Sequence, residues 1–316
     1  MFIDVSYTTE EIAKLLKISK LTVYDLIKKG ELPSYRVGKQ MRVDHADLEA
    51  YKQKHKGLQI NERPTNTDRT KSSHMQASIT GLRPVVITGQ DPSLDILTKH
   101  LEKNTVGIRP LRAYVGSLDS LISMYRGESD IVSTHLFDGD TGEYNLPYIK
   151  KLLIGSSYTV VNLLSRNAGL YVQKGNPLQL KEWSDLGNQS LRIANREKGS
   201  GARVLLDEQL RLHGIKSKQL IGYEQEHTNH LGVASKVSLG EADVGVGIEK
   251  AAVIVGNIDF IPLIQERYDL VMMNTPDNQA WIHSLLGILR SKDFKKELQS
   301  ISGYDLSRTG EILLET

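Results

Sequence analysis

The stretch that most restricts the fold is Leu191 to Leu206, LRIANREKGSGARVLL. It reads as a short buried strand (Leu191, Ile193), a polar turn bearing glycines, then a helix opening on Val204, Leu205 and Leu206. The same order recurs upstream. Val85-Val86-Ile87 leads through Gly89-Gln90-Asp91-Pro92-Ser93 into a helix with Leu94, Leu97 and Leu101. Tyr114-Val115 reads as a second strand, leading through Gly116-Ser117 into a helix with Leu118, Leu121, Ile122 and Tyr125. Repeated strand, polar turn and helix predict α/β layers around parallel sheets, whose ligands bind beyond the strand ends where such turns gather. The first turn of a helix carries N–H groups without intrahelical partners and the positive end of the dipole. Gly199 and Gly201 let the main chain approach a ligand, while Ser200 and Arg203 add a hydroxyl and a forked cation. An ordinary capped turn explains the same residues, and the spacing is not that of a P-loop.

At 316 residues the chain has room for two or three domains. Net charge is only +2, so any nucleic-acid surface has to be local. The absence of cysteine excludes disulfides, thiolate metal sites and cysteine nucleophiles. The start, MFIDVSYTTEE, lacks a basic and apolar leader, and no apolar run approaches a membrane span. A cytoplasmic protein with no membrane partner is expected.

Residues 1–57 form a basic head. Thr8-Thr9-Glu10-Glu11 carries a capping-box pattern, followed by Ile12, Leu15 and Leu16 on one helical face. Ser19 starts a second helix with Val23, Leu26 and Ile27 inward and Lys20, Thr22, Tyr24 and Lys28 outward. Tyr35-Arg36-Val37, Gly38-Lys39-Gln40 and Met41-Arg42-Val43 predict a hairpin displaying Arg36, Lys39 and Arg42, and Asp44 opens a third helix with Leu48 and Tyr51 inward. The segment from Tyr7 to Lys52 resembles the winged helix-turn-helix of the MerR and excisionase type. That resemblance implies double-stranded DNA as partner, with the helix from Ser19 in the major groove and the hairpin as a wing on the phosphates. The expected DNA-binding residues are Ser19, Lys20, Thr22, Tyr24, Lys28, Arg36, Lys39 and Arg42. A protein-interaction module with a solvated basic face is the competing interpretation. Residues 58–80 are polar, rich in Thr, Ser and Asn, and read as a linker.

Residues 81–316 contain an internal echo. LISMYRGESDIV (Leu121 to Val132) and ASKVSLGEADVG (Ala234 to Gly245) each read as a helix, a glycine stop with Glu-x-Asp, and a strand. Two similar lobes around a cleft would produce it, as in a hinged trap for a small ligand. HLFDGDTGEYN, GLYVQKGNP, GSGARVLLD, GEADVGVGIEKAA, ERYDLVM and GYDLSRTGEI together resemble the periplasmic-binding-protein-like domain of bacterial regulators, which is similar to molybdate and tungstate binding proteins. The resemblance implies a class II binding-protein fold, with lobe one at about 81–168 and 270–316 and lobe two at about 169–269. The expected fold class is therefore α/β, an N-terminal winged helix-turn-helix plus a two-lobed binding-protein-like domain.

An oxyanion in a closed cleft needs many donors and few acceptors. Ser93, Ser117, Thr134 and His135 at strand ends of lobe one, and Ser200, Gly201, Arg203 and Thr228 in lobe two, are the expected ligand-binding residues. Each serine or threonine is singly an ordinary helix cap, and Arg203 has Asp207 one turn away as a structural partner. Glu249 is an acceptor out of place beside an anion. The expected function is a ligand-responsive DNA-binding transcriptional regulator, a homodimer, sensing a small oxyanion. Molybdate or tungstate is what the resemblance implies, and Arg203 and His135 would admit another anionic metabolite. No catalytic residue, metal site or cofactor is expected. An enzyme using His135, His227 and His230, and an excisionase-like accessory protein, are the alternatives.

Overall fold

A computed structural model describes residues 6–16, 19–28, 32–38, 40–55, 82–188 and 190–316. The chain divides into two compact units, Met1–Ser73 and His74–Thr316. Residues 58–80, read as a linker, lie outside the described residues.

The first unit runs β1 (Ser6–Thr8), α1 (Thr9–Leu16), α2 (Lys20–Lys28), β2 (Tyr35–Val37), β3 (Gln40–Asp44) and α3 (His45–His55). The capping box forms. Thr8 N–H donates to Glu11 at 2.8 Å, and Glu11 N–H donates back to the Thr8 hydroxyl at 3.3 Å. Ser19 caps α2 through the Thr22 N–H at 3.1 Å. Ile12, Val23, Leu32, Val43 and Leu48 form its core. Leu15 departs from the expected inner face and is 52% exposed. The wall is supplied instead by Ile12 and, one turn on, Leu16, with Ala13 beside them.

The second unit begins with β4 (Arg83–Thr88), α4 (Ser93–Asn104), β5 (Ile108–Ala113), α5 (Ser117–Tyr125), β6 (Ile131–Thr134), α6 (Leu146–Leu152) and the long β7 (Tyr158–Gln173). It continues through β8 (Ile193–Arg196), α7 (Gly201–Leu212), β9 (Glu226–His227), α8 (His230–Ser238), β10 (Val244–Ile248) and α9 (Glu249–Val255). The equally long β11 (Ile258–Met273) then leads to α10 (Gln279–Arg290), α11 (Lys292–Gln299), β12 (Tyr304–Asp305) and β13 (Ile312–Glu315). The sheet order is β5-β4-β6-β11-β7-β10-β8-β9. On one side β4 pairs in parallel with β5 and β6; on the other, β8 pairs in parallel with β9 and β10. Between them β7 and β11 run antiparallel for their full length, with register shifts at Pro262/Ile264 and Tyr268/Asp269. Each lobe thus places its first strand in the middle, its second outside and its third against the crossing pair.

The strand expected at Tyr114-Val115 lies earlier, at Ile108–Ala113, and Tyr114 is exposed. Pro110 breaks the apolar run in the sequence. It is tolerated because β5 is an edge strand, where a missing N–H costs little. Tyr125, placed on the inner face of its helix by spacing, is also exposed.

The echo is structural. In lobe one Gly127 has φ 75°, Glu128 N–H donates to Ser123 O at 2.8 Å and Gly127 N–H to Met124 O at 2.9 Å. In lobe two Gly240 has φ 73°, Glu241 N–H donates to Lys236 O at 3.0 Å and Gly240 N–H to Val237 O at 3.0 Å. These are matching Schellman-type helix exits, with glycine where the backbone turns left-handed. The aspartate that follows then fastens the neighbouring chain. Asp130 accepts from the Val86 N–H at 2.7 Å and pairs with Arg83. Asp243 accepts from the Arg192 N–H at 2.9 Å and pairs with the Arg192 guanidinium. Removing either carboxylate orphans a backbone donor that serves the sheet. Asp130→Ala and Asp243→Ala are each expected to lower stability by about 1–3 kcal/mol. Urea unfolding would check this, and losses below about 0.5 kcal/mol would show that the aspartates do not fasten the strands.

Candidate functional site

The cleft is built by helix starts. α4 and α5 from lobe one, and α7 and α8 from lobe two, all begin at the wall of one cavity of about 170 Å³, through Pro92, Ser117, Gly201 and His230. The positive dipole ends of these helices lie at that wall, while the first-turn N–H groups of Ser93, Leu94 and Leu118 are taken by Asp91 and Gly199. The lobes meet around it. Leu118 N–H donates to Gly199 O at 3.0 Å, Arg196 donates to Gln90 Oε1 at 2.7 Å, and Gly139 N–H donates to Glu208 at 2.9 Å. Two glycines permit this approach. A Cβ on Gly116 would stand 2.9 Å from Gly199 O, and one on Gly201 would stand 2.4 Å from the His135 ring.

The floor is polar and charged. Arg166, on the crossing strand β7, is buried and donates to Glu266 at 2.5 Å and to Asp91, with the Tyr268 ring 4.6 Å from its guanidinium carbon. Burial opposes the charge, yet Glu266 and Asp91 together raise the Arg166 pKa and keep it a cation. Asp91 also accepts from the Ser93 N–H at 2.8 Å and from Tyr304 Oη at 2.6 Å. Against the upward push of burial, Arg166 and these donors hold its carboxyl below the usual carboxylate range. Its negative charge is fully engaged by the protein. Arg196 is buried and tied to Glu197 and to the carbonyls of His227 and Thr228. His135 is buried, its ring 5.3 Å from that of Tyr268, and its Nδ1 has no hydrogen-bond partner among the described residues. Burial pushes its pKa down to about 4, so the ring is neutral at pH 7.

Of the residues expected from sequence, Ser117, His135, Ser200 and Gly201 line the cavity together. Ser117 accepts from the His135 N–H at 3.3 Å, which leaves its own proton free to donate. The Ser200 hydroxyl is engaged within its own cap, donating to Glu197 O at 2.9 Å and accepting from Arg203 N at 3.3 Å. Ser93, Thr134, Arg203 and Thr228 do not line the cavity. The hydroxyls of Ser93 and Thr134 are buried without a partner among the described residues. Arg203 pairs with Asp207 at 3.1 Å and lies over the Tyr223 ring, the structural pairing its spacing allowed. Thr228 accepts through its carbonyl from Arg196 at 3.4 Å. Glu249 accepts from Asn167 at 3.0 Å. Among the described residues no group of three or more His, Asp or Glu side chains is spaced to hold a metal ion. The reading from sequence missed Arg166, Tyr268, Asp91 and Arg196. A charged residue inside the apolar run Tyr158–Gln173 was the available signal for Arg166, because a charge so placed has to be paired.

On the first unit, Ser19, Lys20, Thr22, Tyr24 and Lys28 are exposed, as is Arg36. Lys20 pairs with Glu10. Arg42 is half-buried and donates to Ser6 Oγ at 3.2 Å, and Lys39 lies outside the described residues. Among the described residues no helix is long and apolar enough to cross a membrane.

Comparison with known proteins gives two family matches. The PBP superfamily domain matches residues 98–290, and a helix-turn-helix domain matches residues 6–56. The chain is 51% identical over 311 residues to the uncharacterized protein YvgK of Bacillus subtilis, covering 98% of each chain. Among solved structures it is similar to EhuB in complex with hydroxyectoine (TM-score 0.53, 13% identity, 73% of this chain and 93% of that one). It is also similar to the sulfate-binding protein SubI of Mycobacterium tuberculosis (TM-score 0.50, 12% identity, 70% and 86%). At these identities the solved structures show the shared fold.

Two outcomes are expected from this geometry. Gly201→Ala places a methyl group against the His135 ring and holds the lobes apart. Because the chain has no cysteine, spin labels at Tyr114→Cys and Lys198→Cys report the gap directly. The variant should lengthen that distance, and an unchanged distance would show that the glycine contact does not set closure. The second outcome concerns pH. The unfolded state protonates His135 near its ordinary pKa of about 6.5, whereas the native state resists down to about 4. The unfolded state therefore binds the extra proton in this window, and stability falls as pH drops through it. That contribution is on the order of 3 kcal/mol between pH 7 and pH 4. Urea unfolding of His135→Gln should show a shallower fall, and an identical pH profile would place the ring in contact with water.

Proposed function

The chain belongs to the PBP superfamily domain family and carries an N-terminal helix-turn-helix domain, and from that premise we propose that it is a ligand-responsive DNA-binding regulator whose cleft takes a small anion. The observation that carries this reading is the convergence of helix starts from both lobes on one cavity whose floor holds two buried guanidiniums. The acidic groups around that floor are paired within the protein, Asp91 and Glu266 with Arg166 and Glu197 with Arg196. The Ser117 hydroxyl and the Gly201 amide supply donors at the cavity wall, and the neutral His135 ring carries a single N–H, with its Nδ1 3.6 Å from Glu266 Oε1.

Molybdate and tungstate, the oxyanions that the sequence resemblance implies, would satisfy this donor-rich floor without using the rest of the cavity. SubI is named as binding sulfate, a tetrahedral oxyanion on the same fold. Ligand closing the cleft would bias the DNA-binding units, to an extent set by its differential affinity for the open and closed states. A homodimer on a palindromic operator fits the helix-turn-helix head. The head's exposed Lys28 and Arg36 serve as phosphate contacts.

Gel shifts on the DNA upstream of the protein's own gene, with and without molybdate, test this reading. The chain should bind that DNA with an affinity that falls steeply with salt. Lys28→Ala and Arg36→Ala should each weaken binding several-fold and flatten the salt slope by about one charge. Absence of any shift at low salt would overturn the regulator reading.

A further inference from the structure

The residues around the cavity are sorted by depth. Those on the floor are polar and nearly inaccessible: Arg166 is 5% exposed, His135 9%, Tyr268 2% and Ser133 1%. At the opening, Leu231 is 42% exposed and Ile254 59%, with Pro92 on the opposite lobe, beside the polar Asn229 and Lys250. Buried Ile248 and Ala251 continue the apolar side inward. Exposed apolar residues scattered singly carry no meaning, but these border one opening above a charged floor. The volume agrees. A cavity of about 150 Å³ is enough to hold benzene, and this one is about 170 Å³. A second hollow of about 280 Å³ is lined in part by the same Lys250 and Ile254. A bare tetrahedral oxyanion would leave the apolar side and the opening without contacts.

We propose that the ligand is an organic anion. Its carboxylate or phosphonate head sits on the Arg166, Arg196 and His135 floor, and its short aromatic or branched aliphatic body lies against Leu231, Ile248 and Ile254. This rests on the anion reading given above and narrows it to a class. Burying an apolar body contributes about 25 cal/mol per Å², a gain that an inorganic oxyanion has no means to make. The head fixes orientation through charge-assisted hydrogen bonds, the body sets affinity, and Lys250 at the rim adds attraction for the incoming anion.

The test is calorimetric titration of the full chain with benzoate, phenylphosphonate, inorganic phosphate and molybdate, beside native mass spectrometry of protein purified from its own host. At least one of benzoate and phenylphosphonate should bind ten-fold or more tightly than phosphate and molybdate, and the better of the two identifies the head. Leu231→Asp and Ile254→Asp, both at exposed positions that the fold does not need, should bring that preference down to about one. A co-purifying organic anion in the mass spectrum supports the proposal. Molybdate or phosphate binding more tightly than both organic anions, or a preference untouched by the two variants, overturns it while leaving the anion reading in place. Binding of none of the four, with no small molecule carried by the native protein, overturns both.

Discussion

The ion triad of Asp91, Arg166 and Glu266 is the interaction on which the second unit turns. A guanidinium that deep costs several kcal/mol to desolvate, and it persists only because two carboxylates and the Tyr268 ring face it. Asp91 stands at the start of α4, Arg166 on β7 and Glu266 on β11. The triad therefore locks the first helix of lobe one to the crossing strands. It also sets the electrostatics of the cleft. Asp91 also takes the Ser93 N–H, so the start of α4 is satisfied from within the protein. Cutting one carboxylate would leave an uncompensated buried charge, so the floor is an all-or-none construction.

The two lobes solve one packing problem twice. Each sends a strand into a helix whose start faces the cleft, leaves the next helix by the same Schellman turn, and pins a neighbouring chain with the aspartate that follows. The result is two donor surfaces of similar build, joined by β7 and β11. The crossing pair departs from regular pairing at two places, Pro262/Ile264 and Tyr268/Asp269. Closure is limited by bare main chain at Gly116 and Gly201, where no side chain intervenes. An anion held by both lobes thus stabilises the closed arrangement in proportion to the contacts that opening would break.

Much of this was legible in the sequence, for physical reasons that differ by region. Leu191 to Leu206 announced a strand, a turn and a helix because burial, glycine and periodicity agree there. The echo at Gly127 and Gly240 was readable because a left-handed helix exit demands glycine and leaves a fixed spacing to the next strand. The capping box at Thr8 and Glu11 was readable because it is local. Side-chain direction was not readable. Arg203 pairs along its own helix with Asp207, while Arg196, outside the expected set, reaches the cavity from the strand end. Arg166 and Glu266 are a hundred residues apart and meet only because β7 and β11 pair in register. Pro110 hid an edge strand, since the rule that excludes proline from sheets does not apply at an edge.

The central claim is that one anion touches donors of both lobes at once. Its most direct measurement is the amide spectrum of the ¹⁵N-labelled full chain titrated with whichever of benzoate, phenylphosphonate, phosphate and molybdate binds most tightly, following Ser117 of lobe one and Gly201 of lobe two. Both resonances are expected to move together and saturate at one equivalent. Movement of only one of them, or of neither at saturating anion, would contradict it.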